Sequence, residues 1–168
     1  MTKPTNIWII FCLQAFLFLS SGLSVPPPNI LLIVSEDNGP ELSCYGEPYV
    51  KTPVLDKLAA QGVRFDRAYV PQAGCSQSRA AYLTGLYPHQ NGQIGLATWK
   101  FRMYRENTPN MVTSLKRAGY RTGIIGKLHV NPASAFPFGF KAIPESNFSR
   151  KKLSRYTEEA GRFFKAGK

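Results

Sequence analysis

Residues 29–37, NILLIVSED, set the strictest condition on the fold. Ile30 to Val34 is a continuous apolar run with β-branched members and no polar alternation. Such a run reads as a strand covered on both faces, the situation of a parallel sheet between helix layers. It stops abruptly at Ser35-Glu36-Asp37-Asn38-Gly39. Two adjacent carboxylates, Glu36 and Asp37, therefore fall at the carboxyl end of the strand, the edge where open α/β sheets bind ligands.

The segments that follow supply the helices and further strands such a sheet needs. In TPVLDKLAAQGV, Thr52 can cap a helix and Pro53 suits its first position. Leu55, Leu58 and Ala59 share one face, and Gly62 is a stop signal. RFDRAYV (64–70) alternates in the manner of a strand. Thr108 and Pro109 repeat the same grammar before a stripe of Met111, Val112, Leu115 and Ala118. Lys116 and Arg117 oppose the negative end of that helix, and Gly119 ends it. RTGIIG (121–126) reads as another short buried strand. The order strand, helix, strand, helix, strand predicts an α/β domain with a mostly parallel central sheet flanked by helices. ASAFPFGFKAIPESNF reads as a loop with aromatic anchors. SRKKLSRYTEEAGRFFKAGK predicts an amphipathic helix with Leu153, Tyr156, Ala160 and Phe163 or Phe164 inward. So few strands for a parallel sheet lead to the expectation of a truncated chain, the first part of a larger protein.

The start of the chain is not part of that fold. Ile7 to Leu19 is almost wholly apolar, preceded by Lys3 and followed by SSGLS and three prolines. Residues 1–24 read as a signal peptide cleaved after Gly22 or Ser24. The apolar run is shorter than the ~20 residues a membrane span requires, so no stable membrane anchor is expected. The expected compartment is secreted, periplasmic or lysosomal. Cys12 lies in the signal, which leaves Cys44 and Cys75. In an exported chain the default for such a pair is a disulfide. The alternative is a cysteine kept free for chemistry.

The formal net charge is +11. Residues 141–168 contribute eight Lys/Arg against three Asp/Glu, so the basic bias extends over the whole chain. That balance suits either a solvated face or an anionic partner such as a sulfated glycan. No zinc-finger, RNA-recognition or helix-turn-helix signature is present, and nucleic acid is not an expected partner.

Chemistry concentrates in GCSQSRAAYLTGLYPHQNG (74–92). With a helix beginning near Cys75, Cys75 and Arg79 lie four apart and near one face. A positive helix end beside a guanidinium favours an anion or an activated nucleophile. Lys127 and His129 follow the strand at 121–126 and could hold an oxyanion and move a proton. Singly, each is an ordinary pair of residues; together with Glu36 and Asp37 they can converge on one sheet edge. Adjacent carboxylates are hard oxygen ligands suited to calcium or magnesium.

These stretches resemble the sulfatase family, within the alkaline-phosphatase-like superfamily. CSQSRAAYLTGLYPHQNG is similar to the sulfatase signature, C-x-P-S-R followed by a leucine-threonine-glycine turn. NILLIVSEDNG resembles the family's first strand with its acidic metal pair, and GYRTGIIGKLHV its lysine-histidine block. The resemblance runs in order from about residue 29 to 132. HQNG and GIIGKLHV are most similar to the heparan N-sulfatase branch. The resemblance implies that Cys75 is oxidised to formylglycine by the formylglycine-generating enzyme during export. Its hydrate would attack sulfur, release the alcohol or amine, and then collapse to aldehyde and inorganic sulfate. Glu36 and Asp37 would bind calcium together with the modified Cys75. Arg79 would steady the hydrate, Lys127 would hold a sulfate oxygen, and His129 would lie beside them. His89, in the turn after the signature, has a structural or a site role. Gln77 stands where the family has proline or alanine, and Glu36 where it commonly has aspartate. The resemblance makes 25–140 the N-terminal part of a catalytic domain, with 141–168 a loop and basic helical tail of the same domain. Further metal ligands in the family come from downstream sequence, so the 168-residue chain is expected to have little activity alone. Two other readings are a phosphodiesterase or phosphonate hydrolase of the same superfamily, and an inactive secreted chain that binds sulfated glycans.

Overall fold

A computed structural model describes residues 26–144 and 153–166. The expected signal peptide lies outside the described residues. The chain divides into two units between Asp37 and Asn38.

In the first unit, residues 26–37 form no helix or strand ladder. Ile30 to Val34 are 45–79% exposed. This corrects the expectation of a strand buried on both faces. An apolar run becomes a sheet strand only when neighbours pair its edges and cover its faces, and among the described residues none does so.

The second unit opens with a 3₁₀ turn at Ser43–Tyr45 and helix α1 at Pro53–Gln61. Pro53 starts α1 as expected, but the Thr52 hydroxyl caps no backbone N–H. It donates to the Asp56 carboxylate at 3.1 Å and pairs with the Ser43 hydroxyl at 2.8 Å. No residue of α1 is buried; Leu55 and Leu58 of the expected inner face are 43% and 64% exposed. Residues 64–70 are not the expected strand either. Arg64 instead ties back locally, to Asp66 at 2.9 Å and to the Cys44 carbonyl. Phe65, Tyr69 and Val70 remain exposed.

Helices α2 (Cys75–Thr84), α3 (Pro88–Asn91) and α4 (Met111–Arg117) follow. Asn110, not Thr108, caps α4: its Oδ1 accepts from the Thr113 N–H at 3.1 Å. The Thr108 hydroxyl donates to the Arg105 carbonyl instead, at 2.8 Å. Asn110 also reaches the Ala135 carbonyl at 2.9 Å, so one buried side chain both starts the helix and fixes it to the core. Gly119, with φ +83°, then turns the chain away.

Strand β1 (Gly123–Ile125) lies in the segment expected, and it pairs in parallel with β2 (Phe140–Ala142) in the register Gly123 to Phe140. The fold is thus α/β with a small parallel sheet. β2 corrects the reading of residues 133–148 as loop alone. The crossover between the strands supplies Val130, Ala135 and Phe136 to the core, which they share with Ala80, Leu83, Met103 and Val112. Helix α5 (Leu153–Lys165) lies over β1. Phe163 covers Gly123, where a Cβ would meet its ring at 2.8 Å, and its ring centroid is 5.4 Å from that of Phe140. The Arg121 guanidinium sits 4.6 Å above Phe163. Tyr156, Ala160, Phe163 and Phe164 are half-buried, as the amphipathic pattern predicts; Leu153 is 77% exposed, against expectation.

Candidate active site

Helix α2 begins at Cys75 itself, directly after Gly74. The first turn of a helix leaves backbone N–H groups unpaired within the helix, and its dipole is positive there. Cys75 is half-buried and its thiol is free, as is that of Cys44, so the default disulfide is not formed.

One turn further on, Arg79 is 9% exposed. Its Nη1 donates to the Lys127 carbonyl at 2.7 Å and to the Tyr82 hydroxyl at 3.3 Å. The guanidinium therefore joins the cysteine-led helix to the loop after β1, which carries Lys127 and His129. Lys127 is half-buried and His129 is 7% exposed. His129 adopts φ +51°, a left-handed conformation that costs a non-glycine residue about 1 kcal/mol and persists only where its surroundings enforce it.

Three polar residues that sequence reasoning missed hold this arrangement. Ser76 is fully buried and its Oγ accepts the Ala97 N–H at 2.8 Å. Gln93 is also fully buried. Its Nε2 donates to the Gly95 and Phe101 carbonyls, at 2.8 and 3.0 Å, and its Oε1 accepts the Asn131 N–H at 3.1 Å. Asn131 in turn donates through Nδ2 to the Ala97 carbonyl at 2.8 Å. Their one sequence signal is position: polar side chains next to Cys75, next to HQNG, and two residues past His129.

Gln77 is 8% exposed and its Nε2 reaches the Ile94 carbonyl at 3.4 Å. Its Oε1 has no hydrogen-bond partner among the described residues. His89 is exposed and stacks on Tyr87, with ring centroids 5.8 Å apart. Phe101 packs on Gly95 and Tyr104 on Gly92, whereas Trp99 is 71% exposed. Glu36 and Asp37 end the first unit; Glu36 is half-buried, and Asp37 is exposed with φ +55°.

The sequence profile of the family described as Sulfatase matches residues 28–162. The chain is 41% identical over 133 residues to human N-sulphoglucosamine sulphohydrolase, covering 77% of this chain and 26% of that protein. Human arylsulfatase A is 42% identical over 127 residues, covering 71% and 25%. N-acetylgalactosamine-6-O-sulfatase of Bacteroides thetaiotaomicron is 40% identical over 112 residues, covering 66% and 22%. The chain thus spans about a quarter of the length of the relatives it matches.

Proposed function

This chain belongs to the sulfatase family, and on that premise we propose that it carries part of the active site of an exported hydrolase that releases sulfate from sulfated sugars, as O-esters or N-sulfates. Cys75 is the residue for conversion to formylglycine, whose hydrated aldehyde supplies an oxygen nucleophile for sulfur. Arg79 presents positive charge one turn from that position. The Lys127 ammonium binds a sulfate oxygen and offsets its charge. His129 holds or delivers a proton at the oxygen or nitrogen that leaves.

The donor chemistry at Glu36 and Asp37 fits calcium, which prefers carboxylate oxygens and takes about six to eight oxygen ligands. These two carboxylates would hold the ion, with its remaining oxygen ligands supplied from elsewhere. Bound calcium would supply positive charge against the anionic substrate.

The observation that carries this reading is the 2.7 Å bond from Arg79 to the Lys127 carbonyl. It joins two motifs 48 positions apart, which gives Cys75, Arg79, Lys127 and His129 a common frame. The free thiol at Cys75 supports it as well, because a bridged cysteine cannot become an aldehyde.

Peptide mass mapping around residue 75 tests the reading. The protein is secreted from a host with the formylglycine-generating enzyme. The expected result is an aldehyde at Cys75, with Gln77 tolerated in the signature. A fully unmodified thiol would overturn the formylglycine mechanism and shift the function toward binding of sulfated glycans.

A further inference from the structure

Gln93 is fully buried in a polar network that the reaction outlined above does not use. A glutamine carboxamide has two N–H donors and one acceptor oxygen. Here both donors go to carbonyls, of Gly95 and Phe101, and the oxygen accepts the Asn131 N–H. Only this orientation satisfies the three partners, since the flipped amide would face two carbonyl oxygens with its own. The backbone N–H of Gln93 is held in turn by the Asn91 side chain at 2.8 Å. The carboxamide is therefore fixed at both ends of its side chain.

What it fixes is the far end of a five-residue loop. Residues 127–131 leave β1 and carry Lys127 and His129. Arg79 grips the near end at the Lys127 carbonyl. Gln93 grips the far end at the Asn131 N–H, while the Asn131 carbonyl accepts the Met103 N–H at 2.8 Å. Between the two grips, Val130 is buried in the core and His129 holds its left-handed φ of +51°. With both ends and one neighbour fixed, the direction of the His129 side chain follows from the geometry at the ends.

We infer that Gln93 is a positioning residue that sets the imidazole of His129, and with it Lys127, through the Asn131 amide. The inference rests on the proposed function only for what His129 and Lys127 then do. Gln93 is fully buried and its side chain bonds only backbone groups of Gly95, Phe101 and Asn131 among the described residues. It acts by preventing the loop from relaxing out of the left-handed turn. Gln93→Met keeps the length and removes all three hydrogen bonds.

The chain contains two histidines, so selective ¹³C labelling gives one ring signal for each. The test compares the wild-type chain with Gln93→Met. In the variant the His129 ring signal is expected to move and that of His89, stacked on Tyr87, to stay. The Asn131 amide is expected to exchange with solvent about tenfold faster, while the Val112 amide keeps its rate. A folded variant with unchanged His129 signal and unchanged Asn131 exchange overturns the inference. If Gln93→Met does not fold, exchange in the wild type decides. An Asn131 amide as slow as core amides supports the grip, and one as fast as that of exposed Lys51 overturns it. Inorganic sulfate, titrated into both chains, separates this inference from the proposed function. A wild-type His129 signal that ignores sulfate counts against the sulfatase role, while the variant's own shift still decides the role of Gln93.

Discussion

Helices α1 and α2 differ by one residue in length and reverse what their sequences lead one to expect. α1 has the cleaner apolar stripe, a proline start and a glycine stop, yet it buries no residue. α2 has little amphipathic pattern and buries Ser76, Gln77, Arg79, Ala80, Ala81 and Leu83. The difference lies in the partners. The apolar side chains of α1 face no covering layer among the described residues, so their stripe gains little from the hydrophobic effect. A buried polar group of α2 is stabilised by a partner, since leaving one unmade costs ~1–3 kcal/mol. Ser76 and Arg79 find theirs at Ala97 and Lys127. Between these two helices, burial follows the polar ties that locate a helix, and apolar pattern alone does not bring it.

The largest expected effect comes from the apolar side of α2. Leu83 is 5% exposed within the core cluster, and Leu83→Ala should lower the unfolding free energy in urea by about 3 kcal/mol. Arg79→Met keeps most of the buried stem and removes the donor to the Lys127 carbonyl. It should cost about 2 kcal/mol, since bonds to charged donors are worth more than neutral ones. Equal stability of Arg79→Met and wild type would remove the tie between α2 and the loop. Ser76→Ala leaves the Ala97 N–H without its acceptor and should cost about 1 kcal/mol. Leu58→Gln on the exposed face of α1 should change stability by less than about 0.5 kcal/mol. If Leu58→Gln cost more than Ser76→Ala in the same urea titrations, α1 would be covered in solution and the contrast would fail.

The same contrast explains what could be read in the sequence. Helix limits set by local chemistry were legible: Pro53 opens α1, Gly119 closes α4, and the Gly-Ile-Ile stretch is β1. The cap of α4 was misread by two residues, because Thr108 and Asn110 are both good caps. Asn110 wins by also bonding the Ala135 carbonyl 25 positions away, and no local pattern carries that. β2 was hidden among phenylalanines and glycine, since three residues are too few for a period to show. The apolar run at 30–34 and the alternating stretch at 64–70 look like strands, but a strand depends on a neighbour's edge. Among the candidate site residues, Cys75, Arg79, Lys127 and His129 stand out by type and position, and the resemblance to the sulfatases is what assigns them roles. Ser76, Gln93 and Asn131 were not, because a polar residue that will be buried looks locally like one that stays in water.

The tie from Arg79 to Lys127 also has a consequence for the order of events during synthesis. A chain made from its amino end completes α1 as soon as residue 62 is available, because its contacts are local. α2 cannot take up its final place until residues 127–131 exist, since Arg79 bonds the Lys127 carbonyl and Ala97 is held by Asn131. At ~5–20 residues per second, the stretch from Cys75 to Asn131 takes roughly 3–11 s to make. Through that interval the bonds that dock the helix beginning at Cys75 cannot yet form. Under the function proposed above, this long-range bond would also time the window in which a modifying enzyme reaches Cys75.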